Sequence, residues 1–393
     1  MATSPVPLYG TRRAHRAPLG PLAPILDRSS TAAQPDAETL RAVGRAESDN
    51  PFYQRLGHPN LRAFESLVAE LEDADGAVGF ASGMAAISGA IAAHVAAGDR
   101  VLVAEEVYGG TAAFATHDLP RFGVAVERFH SRDLADLERR LQQPAKMVVF
   151  ESPINPTLRL CDVAAITALA RANGALTLFD STFAPPPIQR SRALGVDLIA
   201  HSATKFFGGH SDVLAGVVAG PHALLGPIEG WRRRTGAVLA PDAAWLLQRS
   251  WPTLALRLAA QQQNAAALAE GLQELARRGL LAGVTYPGLP DHPDRALFER
   301  QMTGGGALLA FEVPGGLDRG VAVLDRLRVI ARAASLGGVE SLATLPAFTT
   351  HAALTAEQRR TAGIPDGLIR IAVGLEDVDR LLGDLTQAIE TTA

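Results

Sequence analysis

Apolar residues recur along this chain with two periods, and the alternation between them is its first structural message. "LRAFESLVAELE", Leu61 to Glu72, sets its apolar side chains at helical spacing. Short β-branched or aliphatic runs follow: "RVLVAEE", "VAVERF", "MVVFES", "ALTLFDS", "LIAHSAT" and "VLAGVVAG". Helical segments separate several of them. One, "DVAAITALARANG", opens on Asp162, suited to an N-cap, and closes on Gly174. Strands alternating with helices predict an α/β fold with a mainly parallel sheet covered on both faces.

Beyond Pro241 the pattern becomes long and helical, with Pro252 as a kink or break. A strand in "GGGALLAFEV", a helix near Asp318 to Arg332, a loop "SLGGVESLATLP", a strand in "LIRIAVG" and a terminal helix complete the chain. This predicts a smaller C-terminal α/β domain. The first fifty or so residues, rich in Pro, Arg and Ser, have no sustained period and predict an extended arm that packs on a partner. The resulting division is an arm over 1–60, a large domain over 61–250 and a small domain over 251–393. Ala77 to Gly98 carries no charged residue and approaches membrane-spanning length, but its Ala, Gly and Ser content predicts a helix buried inside the α/β domain.

Composition narrows the function. At 47% hydrophobic, 20% charged and net charge -4, the 393 residues describe a soluble globular protein, with no membrane partner expected. No basic run is interleaved with aromatics, which argues against nucleic acid. The single cysteine, Cys161, precludes an internal disulfide and fits a reducing compartment. The N-terminus lacks the apolar core of a signal peptide, so a cytoplasmic location is expected.

Candidate chemistry begins with lysine, because the chain has only two among 37 basic residues. Arginine carries the same charge but cannot lose its proton and attack a carbonyl. One of the two, Lys205, sits in "HSATKFFGGHSD" at the end of an apolar strand. Glu151, Asp180, Ser202 and Thr204 are the other polar residues at strand ends, where ligands of parallel α/β sheets bind. A Schiff-base lysine needs an aldehyde, which pyridoxal phosphate supplies, and that cofactor needs a carboxylate beside its ring nitrogen. Asp180, 25 residues before Lys205, has the spacing of one crossover between neighbouring strand ends. "SGMAAI", from Ser82, offers a glycine turn and a helix N-terminus for a phosphate, and Ser202 and Thr204 offer hydroxyls. Walker A, GxGxxG, GxSxG and HExxH motifs are absent, and the scattered histidines, His201 and His210 included, do not form a zinc set; no metal is expected.

The motifs "YQRLGHPN", "SGMAAI", "YGGT", "ESPINP", "DSTFAPP", "HSATKFFGGHSD", "SLGGVES" and "LIRIAVGLED" together resemble the cysteine/methionine-metabolism family of pyridoxal-phosphate enzymes, in the family's order and from about Pro18 to Val378. The resemblance implies a fold-type I transferase fold and pyridoxal 5'-phosphate as cofactor. It implies Lys205 as Schiff-base lysine and proton shuttle, Asp180 as partner of the pyridine nitrogen, and Tyr108 as the ring-stacking tyrosine. Gly83, Met84, Thr182, Ser202 and Thr204 become cofactor contacts. Tyr53 and Arg55 are expected to reach across a subunit interface to a neighbour's phosphate, making the protein a homo-oligomer, expected to be a homotetramer. Arg370 is expected to bind the carboxylate of a small amino-acid substrate, supported by Asn155 and the backbone near Ser335, with Tyr53 and Glu340 as further substrate contacts.

The activity implied is γ-elimination on cystathionine, as in cystathionine γ-lyases. The alternatives are γ-replacement (a cystathionine γ-synthase or O-acylhomoserine sulfhydrylase), methionine γ-lyase, a generic aminotransferase and a non-catalytic relative. Glu340 is typical of cystathionine-processing members, and Gly110 stands where many methionine γ-lyases have cysteine. His58 and Asn60 depart from the family's Asn and Thr and bear on local substrate geometry.

Overall fold

The computed structural model describes residues 22–45, 47, 48 and 50–393. The expectations for the first 21 residues of the arm, Pro18 among them, and for Ala46 and Asp49 lie outside the described residues. Seven strands form the larger sheet: β1 (Gly76–Phe80), β2 (Arg100–Ala104), β3 (Ala125–Phe129), β4 (Met147–Glu151), β5 (Leu176–Asp180), β6 (Leu198–His201) and β7 (Gly216–Gly220). Their order is β1-β7-β6-β5-β4-β2-β3. β7 runs antiparallel to both its neighbours, and the remaining pairs are parallel. Residues 101–104 and 147–150 are fully or almost fully buried, as strands covered by helices on both faces must be.

The predicted strands and the Asp162-capped helix (Val163–Ala172) are present; the Asp162 side chain accepts the Ala165 N–H at 3.0 Å. The uncharged stretch from Ala77 is not one helix. It is split into β1 and a helix, Gly83–His94, capped by the Ser82 hydroxyl. Pro252 separates two helices, Pro241–Ser250 and Leu254–Arg277.

A second sheet comprises β8 (Gly283–Thr285), β9 (Leu308–Glu312), β10 (Ala331–Arg332), β11 (Leu342–Thr344) and β12 (Leu368–Ala372), in the order β10-β11-β12-β9-β8. The helix expected near Asp318 to Arg332 ends at Arg326, so Ala331 and Arg332 pair with β11 instead. β11 itself lies inside the segment expected to be loop. One face of this sheet, through Leu308, Ala310 and Leu368, shares a core with Phe207, Leu247 and Trp251. Its other face packs on the terminal helix, Val378–Glu390.

The arm is more structured than its composition predicts. It contains a helix, Ala37–Gly44, and a bridge between Thr31 and Tyr53. Asn60 anchors it: its Oδ1 accepts the Asp27 N–H at 3.0 Å and its Nδ2 donates to the Ile25 carbonyl at 2.7 Å. His58 caps the helix Pro59–Leu71, its Nδ1 accepting the Leu61 N–H at 3.2 Å while Nε2 donates to the Leu239 carbonyl at 2.9 Å. Both departures from the family pattern are therefore buried structural groups that seat the arm and helix. The same helix is tied to β1 by a buried pair, with Glu65 accepting Arg232 Nη1 at 2.6 Å and the Gly79 N–H at 2.8 Å.

Candidate active site

The carboxyl ends of β4, β5 and β6 open onto a cavity of about 570 Å³. Gly83, Met84, Tyr108, Asn155, Asp180, Thr182, Ser202, Thr204, Lys205, Ser335 and Arg370 all line it. Eleven of the fourteen residues singled out in the sequence thus meet in one place, as expected for strand-end ligand sites. A larger cleft of about 720 Å³ lies beyond Asn155. It is lined by Glu105, Glu106, Arg128 and Arg360 and reaches neither Lys205 nor Asp180, so the chemistry belongs to the smaller cavity.

Register explains the convergence. Glu151 and Asp180 are paired residues at the ends of β4 and β5, and Asp180 is opposite Ala200 on β6. Lys205 follows β6 on a single turn, with its N–H donating to the Ser202 carbonyl at 3.1 Å. Its amine donates to the Ser335 hydroxyl at 2.9 Å. Burial, reinforced by the Arg370 charge, pulls the Lys205 pKa below the usual lysine value. Thr182 links the loops after β5 and β6: its N–H donates to Asp180 Oδ1 at 3.0 Å, and its hydroxyl accepts the Ser202 N–H at 2.8 Å. Burial raises the Asp180 carboxyl, and the Thr182 bonds offset only part of that. A cation beside Asp180 would restore its charge.

At the other end of the cavity, the first intrahelical bond of Gly83–His94 is from the Ala86 N–H to the Ser82 carbonyl, at 3.1 Å. The Gly83 and Met84 N–H groups precede it, and both residues line the cavity. A Cβ on Gly83 would stand 2.8 Å from the Ser202 Cβ, so glycine permits the helix start and the β6 loop to meet. Thr204 lines the wall, but its hydroxyl already bonds both the N–H and the carbonyl of Ala215.

Arg370, near the centre of β12, is buried and has no carboxylate partner among the described residues. Its Nη1 donates to Asn155 Oδ1 at 2.8 Å, its Nη2 donates to the Ser335 carbonyl at 3.1 Å, and its Nε has no partner. Burial lowers its pKa to about 10. A buried guanidinium held by neutral acceptors, with a free donor, is a receptor for an anion.

Three predicted residues do not line the cavity. Tyr53 is 46% exposed, and Arg55 lies over its ring at 5.7 Å while donating to the Arg233 carbonyl at 2.7 Å. Glu340 points to the Ser211 hydroxyl instead, a contact between the "SLGG" and "GGHSD" loops that sequence spacing does not reveal. Glu151, noted in the sequence as a strand-end residue but given no role there, lines the cavity and accepts backbone bonds from two of its loops. Its place at a strand end in "ESPINP" was the available signal. His201 forms a fully buried 2.5 Å contact with Glu72.

These groups fit pyridoxal phosphate: an amine for its aldehyde, a carboxyl for its ring nitrogen, and a glycine-lined helix start for its phosphate, all within one cavity. Together with the two sheets they define a fold-type I pyridoxal-phosphate enzyme.

Comparison with known proteins makes the assignment particular. A family model described as Cys/Met metabolism PLP-dependent enzyme matches residues 10–390, and the chain belongs to that family, with pyridoxal 5'-phosphate as its cofactor. It is 40% identical over 377 residues to an L-methionine gamma-lyase of Pseudomonas deceptionensis, covering 95% of this chain and 94% of that protein. It is 40% identical over 354 residues to a cystathionine beta-lyase of Lactococcus lactis subsp. cremoris, covering 90% and 92%. The solved structure of cystathionine gamma-lyase from Lactobacillus plantarum complexed with L-serine superposes with a TM-score of 0.86 at 37% identity, covering 94% and 93%.

Proposed function

We propose that the enzyme eliminates the γ-substituent of sulfur amino acids of the cystathionine type, breaking a carbon–sulfur bond. The observation that carries an amino-acid substrate is the buried guanidinium of Arg370, which has no carboxylate partner among the described residues and lines the same cavity as the Lys205 amine. Bound pyridoxal phosphate supplies an electron-withdrawing ring that holds the electrons released when a substrate proton leaves.

The chain's own residues supply the rest. Arg370 takes the substrate α-carboxylate in its fork, and Asn155 fixes the plane of that fork. Asp180 would hold the proton on the ring nitrogen. Lys205, with its pKa lowered, removes the α-proton as a neutral amine and carries protons between Cα, Cβ and Cγ. Ser335 holds that amine near the substrate's end of the cavity. Tyr108, half exposed, would stack on the ring and deliver a proton to the departing sulfur. With water, cystathionine then yields cysteine, 2-oxobutyrate and ammonia.

Tyr53 and Arg55 are proposed to complete a neighbour's phosphate site, which suits their exposure, and the active form is then a homo-oligomer, a tetramer in this reading. The arm, large and small domains are proposed to divide near residues 60 and 250. No helix among the described residues is long and apolar enough to cross a membrane, and a cytoplasmic location is part of the proposal. A second reading, methionine γ-lyase, is favoured by the 40% identity to a protein of that name and by the absence of Glu340 from the cavity. Product analysis with L-cystathionine and L-methionine separates the two.

A further inference from the structure

Two loops contribute to the wall of the cavity. One leads from β2 to Tyr108, which begins the short helix Gly109–Ala113. The other leads from β4 to Asn155, whose side chain orients Arg370. They meet on a single side chain: Glu151 Oε2 accepts the Tyr108 N–H at 2.7 Å, and Glu151 Oε1 accepts the Asn155 N–H at 3.2 Å.

We infer that Glu151 is a positioning residue that holds the ring-stacking loop and the carboxylate-recognition loop in one fixed relation, with one carboxylate oxygen assigned to each.

The chemistry of the position favours this role over mere bulk. Glu151 is buried, and its register partner Asp180 puts a second carboxyl beside it. Burial first and Asp180 second push its carboxyl well up from the usual range, while the two backbone bonds oppose that shift. A side chain this costly to ionise is explained by what it does for its donors. Without it, both N–H groups would lose their acceptor where water is largely excluded. No other residue type spans both. Glutamine presents one acceptor oxygen and turns an NH₂ toward the second N–H, and aspartate is one methylene too short. Tyr108 and Asn155 serve different ligands, so one side chain sets cofactor binding and substrate binding together.

The inference rests on the site reading proposed above, and the experiment separates their failures. Wild-type, Glu151→Gln and Glu151→Ala proteins are purified, stripped of cofactor and titrated with pyridoxal phosphate by equilibrium dialysis. The reloaded enzymes are then assayed for KM and kcat on whichever of L-cystathionine and L-methionine the wild type cleaves, and for the circular dichroism of the bound cofactor. Loss of two buried hydrogen bonds predicts that Glu151→Ala raises both the cofactor Kd and the substrate KM by about 10- to 100-fold and weakens the cofactor's dichroism. Glu151→Gln, nearly isosteric, should be intermediate, and it carries the test alone if the alanine variant does not fold. In the double variant Glu151→Ala/Asn155→Ala, the KM should be little higher than in Asn155→Ala, because the effect of Glu151 on substrate runs through Asn155. A fall in kcat with Kd and KM unchanged would make Glu151 a proton-transfer group and overturn the inference, as would unchanged values throughout. A wild-type protein that binds no cofactor would instead overturn the site reading itself.

Discussion

Lys205, at the exit of a strand in the larger sheet, and Arg370, inside a strand of the smaller one, are joined through one residue. Ser335 accepts the Lys205 amine on its hydroxyl at 2.9 Å and the Arg370 guanidinium on its carbonyl at 3.1 Å. The amine proposed to react and the guanidinium proposed to bind a carboxylate are therefore held at a set separation although they belong to different sheets.

Arg370 bears the first prediction. It is a buried cation with only neutral partners, so Arg370→Leu removes a receptor and an uncompensated charge together. The substrate KM should rise by roughly 100-fold, the worth of a charge-assisted pair of hydrogen bonds. The melting temperature should hold or rise. A variant that lost stability with its KM unchanged would mark Arg370 as structural.

Gly110 bears the second. A Cβ there would lie 2.7 Å from the Tyr108 ring and 2.8 Å from Met84 Sδ, so any side chain displaces one of them. Gly110→Ala should lower kcat by about tenfold through misplacement of Tyr108, while the stability change stays within about 1–3 kcal/mol, as for overpacking. Steady-state kinetics beside thermal melts check both. Wild-type kinetics in Gly110→Ala would mean that the Tyr108 ring is not held where the elimination needs it.

Stability should fall as pH drops below about 6.5, the value for a free histidine. Burial lowers the pKa of His58, His94 and His292, and that of His351 to about 4. Between the unfolded and folded values the unfolded chain takes up protons that the folded chain refuses, so stability is present above 6.5 and is lost on acidification. The raised carboxyls of Glu151 and Asp180 act with the opposite sign, because the folded state keeps their protons to higher pH. A single-site difference isolates one contribution. In His351→Asn the drop in melting temperature between pH 7 and pH 5 should be smaller than in the wild type, and an equal drop would remove His351 from the account.

Glu151, Asp180, Ser202, Thr204 and Lys205 were legible in the sequence because they lie at or just after strand ends, which periodicity locates, whereas Tyr108, Asn155, Ser335 and Arg370 came from the family resemblance. Lys205 among arginines and Asp180 one crossover earlier needed no tertiary information. The contact of Glu340 with Ser211 was not legible, because loops, unlike strands, do not dictate where a side chain points. The role of Glu151 was hidden for a related reason: its partners are backbone N–H groups, which carry no residue signature. β11 was missed because three buried residues beside a glycine-rich loop leave no period to read. β1, with two glycines among its five residues, merged with the uncharged helix that follows. His58 and Asn60 looked like neighbours of the chemistry, but they became a helix cap and an arm anchor because burial left their polar atoms only backbone partners.

The most direct test of the central claim is product identification. Purified holoenzyme is incubated with L-cystathionine, with Lys205→Ala run in parallel. The account predicts cysteine and 2-oxobutyrate in equal amounts from the wild type and none from Lys205→Ala. Methanethiol from L-methionine with cystathionine left intact would replace the proposed substrate with methionine. Near-normal turnover by Lys205→Ala would contradict the assignment of this lysine altogether.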